Sequence, residues 1–203
     1  MSSNPAPATH PTQESGESRW RAAGITVGAW LAVMWALEVI DLITPGSLDR
    51  LGIRPRTLGG LVGIPLAPFL HSGLTHLVAN TVPFAVLGFV IAVGSRRRFW
   101  AVTVLIGLIA GLGTWLFGTS GSVHIGASGL VFGYLVYLIV RGFFEKRLTW
   151  VLGGMAVFIV FGGILWGLVP RAGVSFTGHL FGAIGGVAAA WLLRERTPES
   201  QSQ

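Results

Sequence analysis

The stretch HIGASGLVFGY, residues 124–134, begins an apolar run with a serine set among glycines. Ser128 falls near the start of what reads as a membrane helix. Two readings are open at this point: small residues that let helices pack closely, or a hydroxyl that reacts. The rest of the chain decides for the membrane. Of its 203 residues 52% are hydrophobic and only 11% charged, where an average soluble domain carries about a quarter charged residues. The mean hydropathy is +0.69. One compact domain is the natural prior at this length. With no cysteine there is no disulfide framework, no thiolate nucleophile and no cysteine-based metal site. The net charge is +6, but the 14 basic residues sit in short clusters between apolar runs. That distribution speaks for orientation in a bilayer and against nucleic acid as a partner.

Working outward from residue 124, the chain divides into six apolar spans at about 22–43, 74–94, 99–118, 126–141, 148–168 and 174–193. A crossing takes ~20 helical residues. Five spans meet that length, and the fourth, nearer 16 residues, is the short one. A short helix is tolerated where protein or a water-filled cavity surrounds its end. Residues 1–18 are rich in Pro, Ser and Thr and read as a disordered tail, and 196–203 as a second one; 19–195 form the folded domain. With the N-terminus inside, ten of the 14 basic residues fall on the inner side and four outside. Both termini are therefore expected in the cytoplasm, with Ser128 toward the outer face. Residues 44–70 hold five glycines and four prolines. They are too broken for a spanning helix and too apolar for a free loop, so a partly embedded loop is expected. The fold class is an all-α membrane protein, a six-helix bundle with a long first loop.

Polar side chains in membrane helices each need a reason. Four stand at outer ends of spans besides Ser128: His71, His76, Asn80 and His179. His76 and Asn80, four apart, share a helix face. His179 shares a face with Gly182 and Gly186, and Ser128 stands beside Gly129 and Gly133. The simplest pairing packs span four on span six through these glycines, so that Ser128 and His179 meet at similar depth. Each feature alone has an ordinary structural explanation, and the conjunction carries more than any one of them. Other chemistries fit less well. Leu130 stands where a nucleophile elbow needs glycine. There is no H-E-x-x-H, and no carboxylate near the histidines completes a metal site. The outer acids Glu38, Asp41 and Asp49 lie around the end of span one, and no triad acid is evident. A serine–histidine dyad remains.

Three motifs, HSGLTHLVAN, GASG and GHLFGAIGG in that order, make residues 22–193 resemble a rhomboid intramembrane serine protease of the six-helix bacterial type. The resemblance implies Ser128 as nucleophile and His179 as general base. It implies His76, Asn80 and the Ser128 backbone N–H as the oxyanion hole, with Gly126 as the motif glycine and His71 in a supporting role. No cofactor or metal is implied. The family often has a tyrosine four residues after the serine, where this chain has Phe132, which keeps ring stacking on the base without the hydroxyl. Many relatives also carry a Trp-Arg pair in the first loop, which this chain lacks. The implied substrates are transmembrane segments of other proteins, cleaved at helix-weakening residues near the outer face. Span five, rich in glycine, is the expected side of access, in a bacterial plasma membrane. Two alternatives compete. An inactive rhomboid-like binder of membrane helices would usually have lost Ser128 or His179, and a small transporter would need charged or discontinuous helices.

Overall fold

The computed structural model describes residues 16–44, 48–170 and 173–195. The tail expectation for 1–15 and 196–203 lies outside the described residues. Among the described residues six principal helices follow one another: α1 Gly16–Ile43, α2 Leu74–Gly94, α3 Arg96–Phe117, α4 Ser128–Glu145, α5 Leu148–Phe161 and α6 Phe176–Leu192. Residues 16–18, read as the end of the tail, are already helical. Local chemistry sets the joints. Ser95 alone separates α2 from α3, and its hydroxyl accepts from Arg98 N at 3.2 Å, a serine N-cap. Lys146, at φ 52°, ends α4 in the left-handed region. A 3-10 segment, Gly162–Leu168, continues α5.

Five of these helices are long and apolar enough to cross a membrane, α5 being counted with its continuation to Leu168. The lengths correct one expectation. With α5 counted to Leu168, the shortest is α6, with 17 residues, and not the fourth, which has 18. Span four was expected to end near Arg141, where charge begins. Instead α4 runs on to Glu145, because its charges are paired inside the bundle. Arg141 Nε meets Glu145 Oε1 at 2.8 Å, one turn away, and Arg98 of α3 reaches the same oxygen at 2.8 Å. The Arg141 guanidinium lies 3.8 Å over the Trp150 ring. Arg141 and Glu145 are both buried, and a buried charge persists only when paired in this way.

The most buried of the five candidate spans is α4, and its most extensive partner is α6. Glycines make that pairing. A Cβ added to Gly182 would overlap the Gly129 carbonyl oxygen, and one on Gly186 would overlap that of Gly133. The two backbones therefore touch through the four glycines expected from the sequence. In contrast α5 is the least buried span and packs mainly on α4.

Residues 48–73 fold into short helical turns and not into a free loop: Asp49–Leu51, Leu58–Leu61, Gly63–Leu66 and Ala67–Phe69. Arg56 donates to the carbonyls of Leu116 and Gly118 at 2.8 Å each, satisfying orphan acceptors at the end of α3. Trp115 Nε1 donates back to Thr57 O at 2.8 Å. Leu58 and Val62 stay exposed on the loop.

Gly182→Ala is expected to lower the stability of the purified protein by about 1–3 kcal/mol, since the methyl has no space without separating the helices. Gly153→Ala is the control: nothing lies within 4 Å of a Cβ there, and no loss is expected. Thermal unfolding in detergent distinguishes the two, and equal midpoints would contradict the glycine contact.

Candidate active site

Ser128 is the first residue of α4. Its backbone N–H belongs to the first turn, where donors have no partner within the helix and the positive dipole end lies. The approach is built by the first loop. Ile53 and His124 exchange backbone hydrogen bonds at 3.0 and 2.9 Å, and Gly126 N donates to Ala67 O at 2.8 Å. Gly126 has φ +111°, and a Cβ on it would stand 2.6 Å from His76 Cε1 and 2.7 Å from His76 Nε2. Only glycine lets the chain turn there against the His76 ring.

On α6, His179 is buried. Its Nδ1 lies 2.8 Å from the carbonyl oxygen of Gly167, in the segment after α5. A carbonyl only accepts, so Nδ1 carries the hydrogen and Nε2 keeps its lone pair. Phe132, one turn beyond Ser128, stacks on the imidazole with ring centroids 4.1 Å apart and planes at 13°. A Cβ on Gly129 would meet Gly178 O at 3.2 Å, so the chain neighbours of Ser128 and His179 pack directly together.

Ser128, His179, His76, Asn80 and Phe132 line one cavity of about 1010 Å³. His76 and Asn80 both come from the first half of α2. His76 Nδ1 faces the Ser72 N at 3.5 Å and its hydroxyl at 3.3 Å; an Nδ1 accepting there leaves the hydrogen on Nε2, the edge beside Gly126. Asn80 Nδ2 donates one hydrogen to His76 O at 3.0 Å. The arrangement thus gathers a hydroxyl, an imidazole lone pair and N–H donors in one space. A second cavity of about 40 Å³, also lined by Ser128, lies toward Ala67, Thr114 and Gly178.

His71 sits behind this group and does not line the large cavity. Its Nε2 accepts from Ala127 N at 3.4 Å, immediately before Ser128. Burial, reinforced by the nearby His76, lowers its pKa to about 4, against the opposing pull of the Phe69 carbonyl. A protonated ring would set N–H against N–H at Ala127.

Three participants escaped the sequence reading. The Gly167 carbonyl holds the Nδ1 side of His179, and no side chain announces a carbonyl. His124 and Ser175 also line the cavity. His124 stands four residues before Ser128, and that nearness was the available signal. Asp49, one of the outer acids weighed for a triad, reaches the cavity wall as well.

A Rhomboid domain model matches residues 59–196. The chain is 43% identical to a protein of Mycobacterium tuberculosis over 92% of its own length and 82% of the relative's. It is 44% identical to one of Mycobacterium leprae over 90% and 76%. Both relatives are named only as uncharacterized. A Bacillus subtilis protein named "Putative rhomboid protease YdcA" is 30% identical over 61% of this chain and 62% of its own. No solved structure matches the chain at a significant level.

Because its folded pKa lies below the ordinary 6.5, His71 adds stability that is complete above that pH. The stability is lost as pH falls toward 4, since the unfolded chain then binds the extra proton. Between pH 7.5 and 5 the loss from this residue is about 2 kcal/mol. Thermal midpoints in detergent are expected to fall over that range, and less steeply in His71→Asn; parallel slopes would refute the assignment.

Proposed function

The chain belongs to the rhomboid family, and from that premise we propose that it is an intramembrane serine protease, cleaving transmembrane segments of other proteins through a Ser128–His179 dyad. The observation that carries the reading is the His179 imidazole. It is oriented by the Gly167 carbonyl on one nitrogen and by the Phe132 face, and it shares a cavity with Ser128.

In this reading His179 Nε2 takes the Ser128 proton as Oγ attacks the scissile carbonyl, because a serine hydroxyl is a weak nucleophile without a base. The tautomer that Gly167 fixes is the one that leaves Nε2 able to accept. The developing oxyanion is met by Ser128 N–H, His76 Nε2–H and the second Asn80 Nδ2 hydrogen. Such donors act by being aimed before the charge appears. The imidazolium then returns its proton to the leaving amine, and water from the open cavity hydrolyses the acyl-enzyme by the same base. Water is short inside a bilayer, and a cavity lined by hydroxyls and imidazoles supplies a place for it.

The substrate is a membrane helix that unwinds locally, since a helical peptide bond is shielded by its own hydrogen bonding. Residues of low helix propensity near the cleavage site favour that unwinding. Access runs past α5, the least buried span. The cavity faces the outer side of a bacterial plasma membrane, with both termini in the cytoplasm.

The test is cleavage of a model single-pass substrate in liposomes. Ser128→Ala and His179→Ala are each expected to lower the rate by about a thousandfold or more. Asn80→Ala is expected to lose about a hundredfold, mainly in kcat. If the alanine variants at 128 and 179 cut as well as wild type, the dyad is wrong.

A further inference from the structure

The strongest polar cluster outside the dyad runs through His124. Its Nε2 lies 2.8 Å from Ser122 Oγ and its Nδ1 lies 2.7 Å from Ser175 Oγ. Neighbours assign each hydrogen. Ser122 Oγ donates to Thr119 O at 2.6 Å, so Ser122 accepts from His124 Nε2–H. His124 Nδ1 is then the acceptor, and Ser175 Oγ–H donates to it. The Ser175 oxygen in turn accepts from Gly178 N at 3.2 Å. The result is one directed chain from Gly178 N–H through Ser175, His124 and Ser122 to Thr119. Bonds aligned in this way polarise one another.

The two ends of this chain matter. Ser175 is the N-cap of α6, and His179, four residues on, donates its backbone N–H to Ser175 O at 3.1 Å. The other end is the segment leading into Ser128, where His124 is also fixed by its backbone pair with Ile53. The glycine contact holds α4 to α6 along their length, but it does not reach the chain that enters each helix, Ser175 before α6 and His124–Ala127 before α4. We propose that His124 is a positioning residue: through the Ser175 cap its neutral imidazole fixes the N-terminus of α6, and with it His179, in register with the Gly126–Ser128 turn. Burial lowers the pKa of His124, which agrees with the neutral form the hydrogen pattern requires.

The inference deepens the protease reading and rests on it for its catalytic consequence, so the test has an arm that needs no activity. His124→Leu removes the acceptor for Ser175. His124→Asn places a side-chain oxygen where Nδ1 stands and keeps it. In hydrogen exchange of the full-length protein in detergent, His124→Leu is expected to speed exchange of the amides of Gly178 and His179 about tenfold, while His124→Asn stays near wild type. In the liposome assay His124→Leu is expected to lower kcat about tenfold or more with KM nearly unchanged, since small misplacements of reacting groups are expensive in rate. His124→Asn is expected to restore most of it. Ser175→Ala is expected to match His124→Leu, and the double variant to lose no more than either.

Unchanged exchange at 178–179 in His124→Leu overturns the proposal. So does an equal loss of kcat in the leucine and asparagine variants, which would indicate a packing role only. Failure of folded wild type to cut any substrate, with the exchange difference present, would sink the protease reading and leave the positioning role standing.

Discussion

Backbone contact between α4 and α6 is the constraint on which everything else hangs. Lipid tails are as apolar as leucine, so helices in a bilayer gain little from hydrophobic association and depend on close packing and hydrogen bonds. Gly129 and Gly133 face Gly182 and Gly186 with no room for a methyl between them. The contact fixes the depth of each helix against the other. Ser128 precedes the first glycine of one pair and His179 precedes its partner by three, so the packing that holds the fold also brings the two groups to a common cavity. At the opposite end of the bundle, Glu145 joins Arg98 of α3 to Arg141 of α4. Removing one partner of such a buried pair strands the others, which makes that end resistant to sliding.

Around Ser128 and His179, several polar groups inside an apolar body have an identified partner. His179 finds a carbonyl from the segment after α5. His71 takes the Ala127 N–H, and Asn80 gives a hydrogen to the backbone of its own helix. Ser175 caps α6 and passes its hydrogen to His124. Each bond satisfies a group that would be costly to bury alone. Each also removes a rotamer or tautomer, which is what a preorganised site requires.

The first loop takes part in this order. By pairing Ile53 with His124 and Ala67 with Gly126, it pins the turn before Ser128 from outside the bundle. Arg56 and Trp115 tie the same loop to the end of α3. Its glycines and prolines, which exclude a spanning helix, permit the tight turns these contacts need.

The residues determined much of this directly. Glycine spacing of four on two spans predicted which helices would touch, because periodicity places i and i+4 on one face whatever the surroundings. His76, Asn80 and His179 stand out as candidates because ionisable and amide groups in apolar runs are rare enough to be conspicuous, and Ser128 because it sits among glycines at the start of a span. Helix ends were not. Arg141 looked like a boundary because a lone charge ends an apolar span, and only the arrival of Arg98 from another helix turned Glu145 into an interior residue. The Gly167 carbonyl and the His124–Ser175 link were likewise decided in three dimensions. A backbone oxygen is the same atom at every position, and a hydrogen bond between residues 51 apart in sequence exists only when separate segments of the chain are brought together to deliver both ends.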